Sequence, residues 1–416
     1  MRRKVELLAP AGDLEKLKIA ITYGADAVYL GGEEFGLRTF AKNFTMEDIK
    51  EGADYAHERG KKVYVTLNII PHDGDLEGLE EYLLKLEKAG IDAVIVSDPG
   101  VFTIVKETVP DMEIHLSTQA NTTNHQTANF WHKMGVKRVV LARELSLEEI
   151  KNIRENTDED LEIEAFVHGA MCISYSGRCL LSNYMTGRDA NRGSCAQSCR
   201  WKYNLVEEKR PGEYYPVIEG DTGTYIFNSK DLCMIEHIRE LDEAGVYSFK
   251  IEGRMKSPYY VATVIRSYRM AIDEYYENID NLENYTPSPY FMEEIMKCSY
   301  RDFTTGFYFS KPGGEEQLYG STSYIRTYEF MGVVLDYDEE TGTALIEQRN
   351  RIFKGDELEI FGPRKEYLTQ TVGEMWNEKG EPTEVANRAK EKITMKVDAP
   401  VQKWDILRKK LDEDEQ

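Results

Sequence analysis

The chain has 416 residues, enough for two or three domains at roughly 100–200 residues each, one of them large enough to be a barrel. Its 41% hydrophobic and 30% charged residues exclude a disordered chain. Its net charge of −22 argues against broad, non-specific nucleic-acid binding, because phosphates would be repelled.

The N-terminus, Met1-Arg2-Arg3-Lys4, leads into a short apolar stretch that already contains Glu6. A signal peptide needs a longer apolar core, so a cytoplasmic chain is expected. No window approaches the ~20 apolar residues of a membrane-spanning helix, and no membrane association is expected.

One phrase then recurs: a helix-like stretch ends in glycine and a short β-branched run follows. It appears at Tyr23–Val28, Ala89–Val94, Met134–Val139 and Ala244–Phe249. Glycine after a helix accepts the left-handed conformation that stops it. The apolar run beyond reads as a buried parallel strand, so these junctions imply repeated βα units.

In chain order the predicted strands are Glu6–Leu8, Ala27–Gly31, Lys62–Leu67, Ala93–Ser97, Glu113–Leu116, Arg138–Leu141, Glu162–Val167 and Tyr247–Ile251. Asp13 and Ser146 read as helix N-caps, Ser146 forming a capping box with Glu149. Eight strands in about 250 residues is the count of a (β/α)8 TIM-like barrel. A doubly wound open sheet is the alternative, but no G-x-G-x-x-G follows the first strand.

Residues 1–276 are therefore assigned to the barrel, closed by a helix from Tyr259 to about Tyr276. A cysteine-rich insertion occupies about 168–235. Residues 277–328, rich in Pro, Tyr and Gly, read as a connector. Residues 329–416 read as a small antiparallel β-barrel domain with strands Met331–Tyr337, Thr343–Gln348, Glu357–Phe361 and Ile393–Val397 and a frayed acidic tail.

The chain has six cysteines, five of them between positions 172 and 233. A disulfide framework is improbable in a cytoplasmic chain of this size, and clustered cysteines indicate metal or redox chemistry. The insertion follows a barrel strand, so it lies at the C-terminal face, where barrel active sites sit. Thiolates are the usual iron–sulfur ligands. Cys233 reads as the first turn of a helix running to Ala244, where the helix N-terminus would favour a thiolate. Structural zinc is one alternative, although only Cys195 and Cys199 have zinc-like spacing. A set of packed, reduced thiols is the other. Cys298 lies apart and reads as a small buried hydrophobe.

The central segment reads His168-Gly169-Ala170-Met171-Cys172-Ile173-Ser174-Tyr175-Ser176-Gly177-Arg178-Cys179, followed by Asn191-Arg192-Gly193-Ser194-Cys195-Ala196-Gln197-Ser198-Cys199-Arg200. Together with Leu8-Ala9-Pro10-Ala11-Gly12 and Lys250-Ile251-Glu252-Gly253-Arg254, it closely resembles the collagenase-like "peptidase U" family. The resemblance spans the barrel, and the C-terminal domain matches the family's longer members. It implies an oxygen-independent hydroxylation enzyme carrying a 4Fe-4S cluster. Most similar is the group that makes 5-hydroxyuridine at the tRNA wobble position with prephenate as oxygen donor. The resemblance maps the cluster ligands onto Cys172, Cys179, Cys195 and Cys233, with Cys199 either a spare or a substitute for one of them. It also admits hydroxylation of ribosomal RNA or of a small molecule, and a paired homologous subunit. A peptidase remains the alternative carried by the family's older name, and an inactive cluster-bearing partner subunit a third. No H-E-x-x-H or cysteine-protease signature supports the peptidase.

Arg178, Arg188, Arg192, Arg200 and Lys202, with Asp189 as the only acid among them, form a positive island in an acidic chain. Arg254 and Lys256 follow the last barrel strand and are expected on the same face. A positive mouth beside a cluster suits tRNA phosphate and a small anionic co-substrate. Tyr175, Tyr184 and Trp201 could stack on a base. His168, Arg192 and Arg254 are the candidate catalytic residues; Arg178, Arg188, Arg200, Gln119 and Asn121 are the candidate substrate-binding residues. Alternative roles are plain: His168 as a packed ring, and the arginines as structural partners of barrel acids such as Glu164 and Glu252.

Overall fold

A computed structural model describes residues 4–33, 35, 43–172, 174–201, 205–206, 214–215, 230–310, 325–363 and 366–411. Lys202 of the basic island and the acidic tail beyond 411 lie outside these. None of the described helices is long and apolar enough to cross a membrane.

Eight parallel strands form the barrel: β1 (Glu6–Pro10), β2 (Ala27–Leu30), β3 (Lys62–Leu67), β4 (Ala93–Val96), β5 (Glu113–Leu116), β6 (Arg138–Val140), β7 (Glu162–Ala170) and β8 (Ser248–Ile251). Neighbours pair in sequence, and β8 pairs with both β7 and β1, which closes the ring. All four residues of β4 are buried, as expected where one face meets the barrel interior and the other meets helices. The predicted helix stops are real. Gly90 caps the helix Leu79–Ala89 at φ 83°, and a Cβ on Gly245 would meet Arg154 Cγ at 2.4 Å. The capping box of Ser146 and Glu149 starts the helix Leu147–Glu155.

The barrel interior is only partly apolar. Leu8, Ala27, Tyr29, Tyr64, Ala93 and Ile95 form one buried cluster. Against it lies a charged network centred on Arg138, which is 1% exposed. Its guanidinium donates to Glu6 at 2.6 and 3.1 Å, to Glu162 at 2.7 and 2.9 Å, and to Glu164 at 3.1 Å. Lys250 Nζ reaches the other oxygen of Glu164 at 2.6 Å. Buried charges persist only when paired and hydrogen-bonded, and every one of these is.

The helix expected from Cys233 to Ala244 begins later. Strand β7 runs on through His168, Gly169 and Ala170, and the chain returning from the insertion pairs with it antiparallel as Asp231–Cys233. The helix proper is Ile238–Glu243. The sequence hides this because Gly169, at φ 107°, reads as a strand end rather than as a link within a longer strand.

The described part of the segment read as a connector is built into the core. It forms the helix Tyr290–Ile295, and its Phe303–Thr304 adds a parallel strand to Asp231–Cys233. Buried Glu294 accepts from Arg266 of the barrel's last helix, Pro258–Glu277, at 2.8 Å and from Arg408 at 3.1 Å. The C-terminal domain is an antiparallel sheet of eight strands around its own apolar cluster. Its edge strand Tyr367–Thr371 is tied to the opposite half by Gln370, which donates to the Lys396 carbonyl and accepts from Asp398 N–H. Tyr23 donates to the carbonyls of Phe361 and Trp404, and Phe361 and Ile406 pack into the barrel's cluster, so the two domains share a dry contact.

Candidate functional site

The cysteine-rich insertion folds over the C-terminal ends of the barrel strands, and side chains of small polar residues hold it there. Asn121, in the left-handed region at φ 55°, donates through Nδ2 to the carbonyls of Gln119 and Ser176, both at 2.9 Å. Asn191 brackets Cys179, accepting from its N–H at 3.2 Å and donating to its carbonyl at 3.1 Å. Ser182 Oγ donates to the Arg188 carbonyl and accepts from Ala196 N–H. Ile70 N–H donates to the Asn191 carbonyl, and Arg192 pairs with Asp75, which anchors the insertion to the loop after β3.

These contacts bring Cys172, Cys179, Cys195 and Cys199 to the lining of one chamber. Gln197 N–H donates to Cys195 Sγ at 3.4 Å. Burial pushes the Cys199 thiol up to about 11, against the pull of Arg200 and with the thiols of Cys172, Cys195 and Cys179 adding to the rise. A tetrahedral zinc with Zn–S of about 2.3 Å needs sulfurs about 3.8 Å apart. Among the described residues no three cysteines bring their sulfurs within 4.8 Å of one another. The four thiols thus share a chamber without the convergence a single ion requires.

Cys233 departs from expectation. It ends a strand instead of starting a helix, is 5% exposed, and its Sγ lies 3.9 Å from the Tyr268 hydroxyl. Burial pushes its thiol up to about 12. It faces the layer beneath the helix Pro258–Glu277 and does not line the chamber. Cys298 is buried, as a small hydrophobe would be, and donates to the Ile295 carbonyl.

Two connected spaces lie at the mouth. The inner chamber, about 200 Å³, has Tyr29, Asn68, Gln119, Arg143, Phe166 and Arg254 below and the four cysteines above. The outer cleft, about 610 Å³, opens between the barrel and the C-terminal domain. Arg200 and Lys256 line one side; Arg326, Tyr328, Phe330 and Arg349 line the other. Arg143, Cys172, Cys195, Cys199 and Glu252 border both spaces.

The candidate residues divide accordingly. Gln119 and Arg254 line the inner chamber, and Arg200 lines the outer cleft while donating to the Met171 carbonyl. Arg192 is occupied by Asp75. Arg188 spans the carbonyls of Ser194 and Cys195, so its part is to shape the loop. Arg178 is exposed and borders neither space, and Asn121 acts as a tie between loops.

His168 has the surroundings of a packed ring, the second of the two roles open to it. It is 2% exposed, packed against Tyr260, Tyr268 and Phe303 at centroid distances of 5.5–6.0 Å, and outside both linings. Burial, with Lys256 adding, depresses it to about 3, so it is a neutral ring. Glu164, offered as a partner for the arginine island, is taken by Arg138 and Lys250 instead.

The sequence reasoning passed over Arg143 and Asn68. Both follow a barrel strand at its C-terminal end, the position that marks functional residues in this architecture, and that placement was the available signal. It also passed over the C-terminal domain's share in the outer cleft, which no local pattern announces.

Residues 12–318 match peptidase family U32, and residues 326–408 match the peptidase family U32 C-terminal domain. The chain is 46% identical to tRNA hydroxylation protein P1 of Bacillus subtilis (strain 168), over 98% of this chain and 95% of that one. It is 39% identical to tRNA hydroxylation protein P of Escherichia coli (strain K12), over 92% and 91%. It is 37% identical to the 23S rRNA 5-hydroxycytidine C2501 synthase of the same organism, over 74% of this chain and 46% of that one.

Proposed function

The chain belongs to peptidase family U32, and from that premise we propose that it is an RNA hydroxylase, acting at C5 of the wobble uridine of tRNA without molecular oxygen. The observation that carries the reading is the meeting of Cys172, Cys179, Cys195 and Cys199 over a small chamber that opens into a cation-lined cleft. A thiolate-held 4Fe-4S cluster, when bound there, would supply one-electron chemistry. Cys199, the possible substitute for one of the four ligands, borders the chamber with the other three. Cys233, the fourth by family resemblance, would first have to leave its place beside Tyr268.

The chain's own residues have separable tasks. Arg200, Lys256 and Arg326 give the outer cleft the charge to hold an RNA backbone despite the acidic surface elsewhere. Tyr175, Tyr184 and Trp201, at 49, 86 and 43% exposure, offer rings for an unstacked base. The inner chamber is too small for a strand and suits a small anionic co-substrate, prephenate in this proposal. A peptidase finds little support. His168 is a buried ring outside the cleft, so it does not serve as the base of a cysteine-protease pair with these thiols.

The test is deletion of the gene, together with any paralogue, followed by mass spectrometry of tRNA nucleosides. Loss of 5-hydroxyuridine and its derivatives is expected. Unchanged levels would remove the tRNA assignment; a new gap in ribosomal RNA hydroxylation instead would keep the chemistry and move the substrate.

A further inference from the structure

We propose that Arg143 is the anchoring residue for a small hydroxycarboxylate bound in the inner chamber, a role that rests on the reading of that chamber as the co-substrate site. Arg143 follows β6 and borders both the chamber and the outer cleft. Its guanidinium lies over the Phe166 ring at 4.3 Å, and Nη1 donates to the Ala170 carbonyl at 3.5 Å, a long contact. Its Nε is buried without a hydrogen-bond partner.

Four other arginines differ from it in being paired, although Arg349 and Arg408 also each keep one buried nitrogen without a hydrogen-bond partner. Arg138, Arg266, Arg349 and Arg408 each form an ion pair with at least one glutamate. Arg143 forms none among the described residues. A buried nitrogen of a charged group without a partner is costly, and a bound ligand is one way to complete it.

The complement lies in the same chamber. Asn68 Oδ1 and Gln119 Oε1 are also buried acceptors without a donor. Asn68 has already committed its amide to Ser117 Oγ, which leaves its oxygen as the free end. One unmatched cationic donor facing two unmatched acceptors selects a ligand with a carboxylate at one end and a hydroxyl at the other. Phe166 and Tyr29 form the apolar floor between them. The planar guanidinium suits a carboxylate, and Lys at this position would keep the charge but lose the fork.

The experiment is calorimetric titration of the anaerobically purified, iron-loaded full chain with prephenate, with L-malate, and with benzoate, which lacks the hydroxyl. The wild-type chain should bind a hydroxycarboxylate more tightly than benzoate. Arg143→Gln should weaken that binding by roughly 10- to 100-fold, the loss of a charge-assisted hydrogen bond, and Arg143→Lys by less. Gln119→Leu should weaken the hydroxycarboxylates and leave benzoate unchanged. Iron content and tRNA affinity should stay as in the wild type. The proposal is overturned if neither hydroxycarboxylate binds, if Arg143→Gln binds as the wild type does, or if Arg143→Gln and Arg143→Lys both lose tRNA rather than the small anion. Binding of L-malate but not prephenate through Arg143 would keep the anchor and remove prephenate. Unchanged tRNA nucleosides in the deletion strain, with anion binding through Arg143 intact, would remove the tRNA reading alone.

Discussion

Asn191 holds Cys179 by both ends of its peptide unit: Oδ1 accepts from the cysteine's N–H and Nδ2 donates to its carbonyl, at 3.2 and 3.1 Å. A thiol on a loop is a usable ligand only if the loop keeps it in place. Asn191→Ala removes both bonds, a local loss of about 1–3 kcal/mol. The expected result is faster bleaching by an iron chelator, with little change in circular dichroism. Asn191→Asp keeps the acceptor, loses the donor and should fall between. Bleaching at the wild-type rate in Asn191→Ala would show that Cys179 is held by something else or does not bind iron.

Iron content separates the fifth cysteine from the first four. Replacing Cys172, Cys179 or Cys195 by alanine should each abolish the broad absorption near 400 nm expected of a Cys₄ cluster, where roughly four irons per chain are predicted. Cys199→Ala should do the same, because Cys199 shares their chamber, while Cys233→Ala should keep iron and lose only buried packing. The reverse pattern would mean that loading the cluster strips Asp231–Cys233 from β7. One tightly bound zinc in a colourless protein would end the cluster proposal.

The barrel was legible because its signals are local. Glycine stops, β-branched runs and caps set β3 and β5 to the residue, and β4 and β6 to within one. The site was legible only where a motif named its members. Arg138 looked like one more strand residue, since nothing nearby reveals that Glu6, Glu162 and Glu164 converge on it across the barrel. Cys233 was misplaced for a related reason. Its strand exists only because β7 extends past Gly169, a tertiary pairing that overrode a local pattern suited to a helix start. Arg192 read as a free cation because its partner, Asp75, lies far away in the sequence.

That partner gives a prediction about RNA binding. Arg200 lines the outer cleft and, among the described residues, donates to a backbone carbonyl without an ion pair, whereas Arg192 is already neutralised by Asp75. Arg200→Glu should weaken tRNA binding and reduce the slope of log affinity against log salt by about one, as for a lost phosphate contact. Arg192→Glu should do less to the slope and more to the loop, because it places two carboxylates together. Filter binding across a salt series decides it. Equal slopes for wild type and Arg200→Glu would remove Arg200 from the RNA surface.

The last prediction concerns acid. Burial alone would raise the Glu6 carboxyl, but the Arg138 charge and hydrogen bonds from Arg138, Tyr64 and Ser248 outweigh it and carry the group from 4.5 down to about 2. A carboxyl held below its unfolded value contributes stability that is present above about pH 4.5 and is lost as pH falls toward 2. The shift corresponds to roughly 3 kcal/mol at neutral pH. Glu164, with Lys250 and Arg138 beside it, is also lowered and falls away in the same direction. Urea unfolding of the metal-free chain, followed by circular dichroism, should therefore show a plateau above about pH 6.5, a gentle decline below it as His168 and His115 take up protons in the unfolded chain, and a steeper decline below about 4.5. Glu6→Gln leaves Arg138 short of one carboxylate, so its plateau should sit lower by about 3–5 kcal/mol and its decline should be shallower. If that variant unfolds outright, Tyr64→Phe removes one hydrogen bond to Glu6 at 2.8 Å and gives the milder form of the same change. An acid limb of unchanged steepness in Glu6→Gln would assign the acid sensitivity to groups other than Glu6, Glu164 and His168 among them.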